Sequence, residues 1–205
     1  MRSNFIGLCL VALATTGCAT TSFNSKWRAP DAEPVQLNGQ KVAAVVMTRN
    51  PSARRPAEDA LAREITRHGA VGIPAYTLVP DEQIRDVEST KRLLAETGVQ
   101  GVVSMRVVSR DSLTTYVPGA WQSGPYYGSF SGYWGYGWGT VYNPGYLQTD
   151  TIVSVETLVY SLRQDKLIWA GMSETVNPAR ADALVTELAE RVADEMQKDG
   201  LLVKP

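Results

Sequence analysis

Residues Thr149 to Leu162, TDTIVSVETLVYSL, form a long run rich in β-branched side chains. Lys166 to Thr175, KLIWAGMSET, follows after the polar turn Arg163-Gln164-Asp165. β-Branched residues are stiff at χ1 and pack well on a pleated surface. Two such runs joined by a short turn predict an antiparallel hairpin. A lone hairpin is marginal in water, so this pair commits the chain to a larger sheet.

The remaining elements can be placed around that hairpin. Lys41 to Thr48, KVAAVVMT, is a short apolar run that reads as a strand buried on both faces. Pro56 then suits the first turn of a helix, with Glu58 and Asp59 near its positive end. Ala57, Leu61 and Ile65 fall on one stripe, and Gly69 is a good stop. Ala70 to Val79 reads as a second strand, with Pro74 suggesting an edge or a bulge. Ser89 is the expected N-cap of a short helix through Leu93 and Leu94 that closes at Gly98. Val99 to Ser109 is the third strand. After the hairpin, Asn177-Pro178 is expected to open a helix, with Leu184, Leu188, Val192 and Met196 every fourth residue and Ala181 and Val185 beside them. The order is β-α-β-α-β, an insertion, a β-hairpin and a helix. It predicts an α+β fold with a mixed sheet, helices mainly on one face, and right-handed crossovers between the first three strands.

The amino-terminal end bears on location. Arg2 is followed by an apolar run from Phe5 to Ala14, too short to span a bilayer. Thr15-Thr16-Gly17-Cys18 follows directly. Small residues before a Cys at that point resemble the bacterial lipobox, with Thr15 standing where that motif usually has Leu. The resemblance implies a signal peptide over residues 1–17, acylation (palmitate included) at Cys18, and a lipid anchor. Ala19 in the next position implies the outer membrane, on its periplasmic face. Cys9 would be lost with the leader, leaving no disulfide in the mature chain. Residues 18–40, polar and without periodicity, read as a lipidated tether in which Trp27 either docks on the domain or stays free. Residues 41–203 read as a single periplasmic domain.

Between the third strand and the hairpin lies the segment 119–146. It holds ten of the chain's seventeen aromatic residues, eight glycines and no charge. Long insertions of this kind carry function or are disordered. Tyr and Trp supply large contact area with a polar handle and dominate binding hot spots. The first reading is therefore a partner or self-association surface, carried by Tyr116, Trp121, Tyr133, Trp134, Tyr136, Trp138 and Tyr142. A bilayer contact at headgroup level is a second. A third is stacking on a glycan such as peptidoglycan, for which only Gln122 and Asn143 offer amides nearby. A self-packed loop that only covers the sheet is the structural alternative.

Chemistry is sparse elsewhere. The single His68 cannot make a His-rich metal site and has Glu64 four residues before it. No G-x-S-x-G elbow and no Walker motif is present, and Gly135-Tyr136-Gly137-Trp138-Gly139 precedes no helix. Glu156 and Glu174 are expected to approach across the hairpin as solvated neighbours rather than as an acid/base pair. The expectation is a non-enzymatic protein with no cofactor and no metal. Near-balanced charge gives no case for nucleic acid.

The hairpin with Asp165-Lys166-Leu167-Ile168-Trp169-Ala170-Gly171, followed by the last helix, resembles a group of uncharacterised Gram-negative outer-membrane lipoproteins. In element order the chain is similar to the periplasmic α/β domain of the curli-secretion-channel lipoproteins and to the amino-terminal domain of the Tol translocation protein. That likeness implies an envelope assembly or scaffolding role and carries no catalytic residue. Cys18→Ser is expected to yield an unlipidated protein found in the soluble periplasmic fraction; recovery of the parent chain in that same fraction would remove the anchor.

Overall fold

The computed structural model describes residues 20–34, 39–84, 86–118 and 145–202. Its core is one six-stranded sheet in the order β1-β6-β5-β4-β2-β3. The strands are β1 (Thr20–Arg28), β2 (Lys41–Val46), β3 (Val71–Pro74), β4 (Gly101–Val117), β5 (Tyr146–Ser161) and β6 (Lys166–Val176). The helices are α1 (Pro51–Arg67), α2 (Val87–Glu96) and α3 (Ala181–Lys198). The fold is α+β with a mixed sheet, as expected.

The sheet has two halves. β2 pairs in parallel with both β3 and β4, as the βαβ order requires. β4, β5, β6 and β1 pair antiparallel in turn. Pro74 sits in the outermost strand, where a missing N–H costs no ladder bond. The second strand is shorter than expected: after Pro74 the chain turns into a single 3₁₀ turn, Ala75–Thr77.

α1 and α3 lie together on one face, over Val42, Ala44, Met105, Val153 and Val155. The stripes Ala57/Leu61/Ile65 and Leu184/Leu188/Val192/Met196 are buried there. Ala181 is exposed at the start of α3. α2 is the exception, packing Leu94 on the other face against Ala43 and Val99.

α1 starts earlier than the sequence suggests. Asn50 is its N-cap, accepting from the Ser52 amide at 3.0 Å, and Pro51 opens the helix. Pro56 therefore lies inside it. Glu58 is then not a first-turn acid but a fully buried one. Its Oε1 accepts from Arg54 Nε at 2.9 Å and from the Val46 amide at 3.2 Å; its Oε2 accepts from the Tyr76 amide at 2.7 Å. One carboxylate thus ties α1 to the end of β2 and to the turn after β3. α2 is capped by Asp86, with Ser89 inside the first turn donating back to Asp86 Oδ2 at 2.7 Å.

Residues 20–28, read as part of a tether, instead form the edge strand β1 on β6. Their polar sequence hides the strand because Thr21 and Phe23 face the core while Lys26 and Arg28 bond Glu195 of α3 and Asp199 just after it. Trp27 points to the opposite face and stays 47% exposed.

Trp169 is the centre of the antiparallel half, with no exposed surface. Its Nε1 donates to Asp199 Oδ2 at 3.1 Å, and Phe23 meets it edge-on at 5.9 Å. Gly171 makes room for it: a Cβ there would stand 2.3 Å from the indole. Trp169→Ala is expected to lower the unfolding free energy by about 3–5 kcal/mol, read from the denaturant midpoint, through cavity formation and loss of contacts with β1 and α3.

Candidate functional site

β6 ends at Val176, opposite Ile152 of β5, which in turn stands opposite Asp111 of β4. Beyond that line, among the described residues, β4 and β5 continue alone for six more residue pairs, ending at Val117–Tyr146. At about 3.3 Å per residue the two strands form an arm roughly 20 Å long. Residues 119–144 are joined to its tip and lie outside the described residues.

The arm forms because its residues suit a strand without a core to pack on. Threonines recur at 114, 115, 149 and 151, and Thr114 and Thr149 hydroxyls meet across the strands at 3.1 Å. Opposite residues share a face, so Tyr116 and Leu147 lie on one side and Val117 and Tyr146 on the other. Tyr116, Tyr146 and Leu147 are 61%, 58% and 69% exposed, and Leu113 nearer the base is 54% exposed. Gly145 lets the chain pass close to Tyr116, since a Cβ there would stand 2.2 Å from the phenol oxygen. The tip therefore shows aromatic and aliphatic surface on both faces, continuous in sequence with the aromatic segment.

The base of the arm is held by Asn177, whose backbone has φ of 50°. Asn tolerates this left-handed conformation better than most residues. Its Oδ1 accepts from the Thr151 amide at 2.8 Å, its own amide donates to Thr151 O at 2.7 Å, and its Nδ2 donates to Asp150 Oδ1 at 2.7 Å. Gln148 also donates to Asp150. The hydrogen bond from Asn177, then that from Gln148, holds the Asp150 carboxyl below its ordinary range. Asn177 is thus not the cap of α3, which begins after Arg180 with no side-chain cap bond. The dipeptide Asn177-Pro178 signals a break correctly, but the side chain serves the strand beside it.

Of the aromatic residues expected to form a contact surface, Tyr116 lies on the arm; Trp121, Tyr133, Trp134, Tyr136, Trp138 and Tyr142 fall outside the described residues, as does Cys18. The two strand glutamates do not face each other. Glu156 is opposite Met172 on β6 and is bound by Arg106 Nη2 at 2.8 Å, whereas Glu174 is opposite Ser154. The hairpin is centred between Arg163 and Gln164, with Ser161 opposite Lys166, rather than on Asp165, and the bulge between Val159 and Tyr160 recovers only one residue of that offset.

The register also locates the amino-terminal end. Thr20 pairs with Val176, in the same row across the sheet as Ile152 and Asp111. β1 runs in the same direction as β5, so its first residue, Thr20, is at the end of β1 nearest the arm. Cys18 precedes Thr20 by two residues in the sequence and lies outside the described residues. Sequence reasoning missed this juxtaposition, because β1 carries no strand pattern of its own.

No protein-family model matches the chain, and no curated protein matches it. Among solved structures it is similar to the PelC dodecamer from Paraburkholderia phytofirmans, at 11% identity and a TM-score of 0.47, covering 88% of this chain and 98% of that one. It is also similar to lipoprotein GNA1162 from Neisseria meningitidis, at 13% identity and a TM-score of 0.40, covering 78% and 99%. Likeness at this level assigns no family and no activity. Among the described residues no helix is long and apolar enough to cross a membrane.

Asn177→Gly keeps the positive φ and removes the side-chain bridge. Hydrogen exchange at the Thr151 amide is expected to accelerate about tenfold or more, with Val153 unaffected. In the parent chain the bridge contributes fully above the ordinary aspartate pKa of about 3.9 and is lost as pH falls below it, through the lowered folded-state value. The Thr151 protection factor should fall in that acid window and not in Asn177→Gly.

Proposed function

We propose that this chain is an outer-membrane-anchored lipoprotein with a non-enzymatic scaffolding or assembly role in the envelope. In this reading the β4/β5 arm presents the Gly- and aromatic-rich segment to a partner at the membrane. One observation carries it: Thr20, two residues after the acylation site, and the base of the arm share one row of the sheet, with the arm and the leading chain on the same side of it. An anchor at Cys18 then turns the arm toward the bilayer rather than into the periplasm. Adjacent strands are about 4.8 Å apart, so the anchor and the arm base stand only about 10–15 Å apart laterally. In this reading an arm roughly 20 Å long carries uncharged aromatic side chains toward the depth where Trp and Tyr partition well and where a membrane-embedded partner presents its surface. Glycines spaced through the segment let those rings meet a surface without backbone strain.

Self-association and binding to another envelope protein use the same arm and give different captured species. In intact cells, a photoreactive residue at Trp134 is expected to capture an envelope protein, a second copy of this chain or lipid, and the adduct should disappear with Cys18→Ser. The same residue placed at Lys91, which meets Asp165 in the β5/β6 turn at the other end of the sheet and lies outside any pocket lining, should not give it. An adduct that survives Cys18→Ser unchanged, or none at Trp134, would overturn the reading; capture of peptidoglycan alone would replace it with glycan binding.

A further inference from the structure

A pocket of about 450 Å³ opens at the end of the sheet farthest from the arm, between the helix layer and the strands. Its walls include Leu61, Ile65, Met105, Val159, Val192 and Met196. These side chains come from both hydrophobic clusters on the α1/α3 face, so the pocket is the seam between them. Native interiors leave few voids larger than a water, and small-molecule sites occupy about 300–1,000 Å³. The pocket is thus in the range of a binding site.

Two buried acceptors in its lining lack donors among the described residues. Glu64 is 2% exposed; its Oε1 accepts from Arg67 Nη1 at 2.6 Å, while its Oε2 has no partner among the described residues. Gln100 Oε1 is likewise buried without a partner. Both residues line the pocket, with His68, Arg163 and Gln164 also contributing to it. A buried acceptor left unpaired carries its full desolvation cost, which a ligand donor would offset. A carboxylate prefers a charged or strongly polar donor.

We infer that this pocket binds a single-chain amphiphile whose head donates hydrogen bonds, an ammonium or a hydroxyl, to Glu64 and Gln100, with its aliphatic tail along the walls. An acceptor-only anionic head is rejected, because it supplies no proton and faces Glu64. Ser161 lies nine residues along β5 from Ile152, about 30 Å at strand spacing. If the anchored orientation proposed above holds, the mouth faces the periplasm, but the binding itself does not depend on it.

The test uses the full chain carrying Cys18→Ser, with ¹³C-labelled methionine methyls. Met105 and Met196 line the pocket; Met47, 58% exposed, and Met172, on the opposite face, do not. Dodecylamine, dodecanol and laurate are titrated below their aggregation concentrations. Saturable shifts at Met105 and Met196 are expected with the amine or the alcohol, and none with laurate. A response to the amine alone identifies a cationic head, and to the alcohol alone a neutral one. Ala193→Leu, which fills the pocket, should weaken binding about tenfold or more, with an unchanged fold by circular dichroism. Glu64→Gln should weaken amine binding by about 10- to 100-fold and alcohol binding less. The inference falls if neither donor-headed probe gives saturable shifts, if laurate binds equally, if Met47 and Met172 shift alike, or if Ala193→Leu has no effect.

Discussion

Backbone register across β1, β6, β5 and β4 is the constraint on which the rest of the molecule depends. Side chains alternate faces along a strand, so a slip of one residue would turn an entire strand inside out. Trp169 makes such a slip costly in β6. Its indole is fully buried between Phe23, Gly171 and α3, and its one polar atom is bonded to Asp199. β1 is locked to the same register by the buried Thr21–Thr175 hydroxyl contact at 2.7 Å and by Lys26 with Glu195. With that register set, Thr20 and the base of the arm fall in one row of the sheet.

The two halves of the sheet are held by different physics. In the antiparallel half, aromatic and threonine packing under α3 dominates. In the parallel half, small residues let the layers approach closely: a Cβ on Gly72 would stand 2.1 Å from the Ala62 carbonyl oxygen. Glu58 then supplies hydrogen bonds that β2 and the turn after β3 cannot find in the sheet. A buried carboxylate of this kind contributes only when its charge is paired and its lone pairs are filled; Arg54 provides the pairing at 2.9 Å.

Much of this was legible in the chain itself. The apolar runs at 41–48 and 99–109, the stripes of α1 and α3 and the β-branched hairpin all appear where their patterns place them. Failures have local causes. Pro56 looks like a helix start because proline favours the first turn, yet Asn50-Pro51 holds a better one. Glu58 and Asp59 look like dipole partners until α1 lengthens and buries the first of them. β1 was unreadable because Lys26 and Arg28, on its helix-covered face opposite Gly171 and Trp169, pair with Glu195 and Asp199, so polarity misrepresents their environment.

For the contact surface the division is similar. Sequence alone determined that residues 119–146 are uncharged, aromatic and inserted between strands, and that a Cys follows an apolar leader, because these are properties of composition and order. Tertiary structure decided that β4 and β5 carry the segment out on an arm, that Asn177 braces its base, and that the chain after Cys18 joins the sheet in the row where the arm begins. It also decided that Glu64 and Gln100 line one apolar seam. Those are relations between residues far apart in the chain, and only strand pairing and helix packing bring them together.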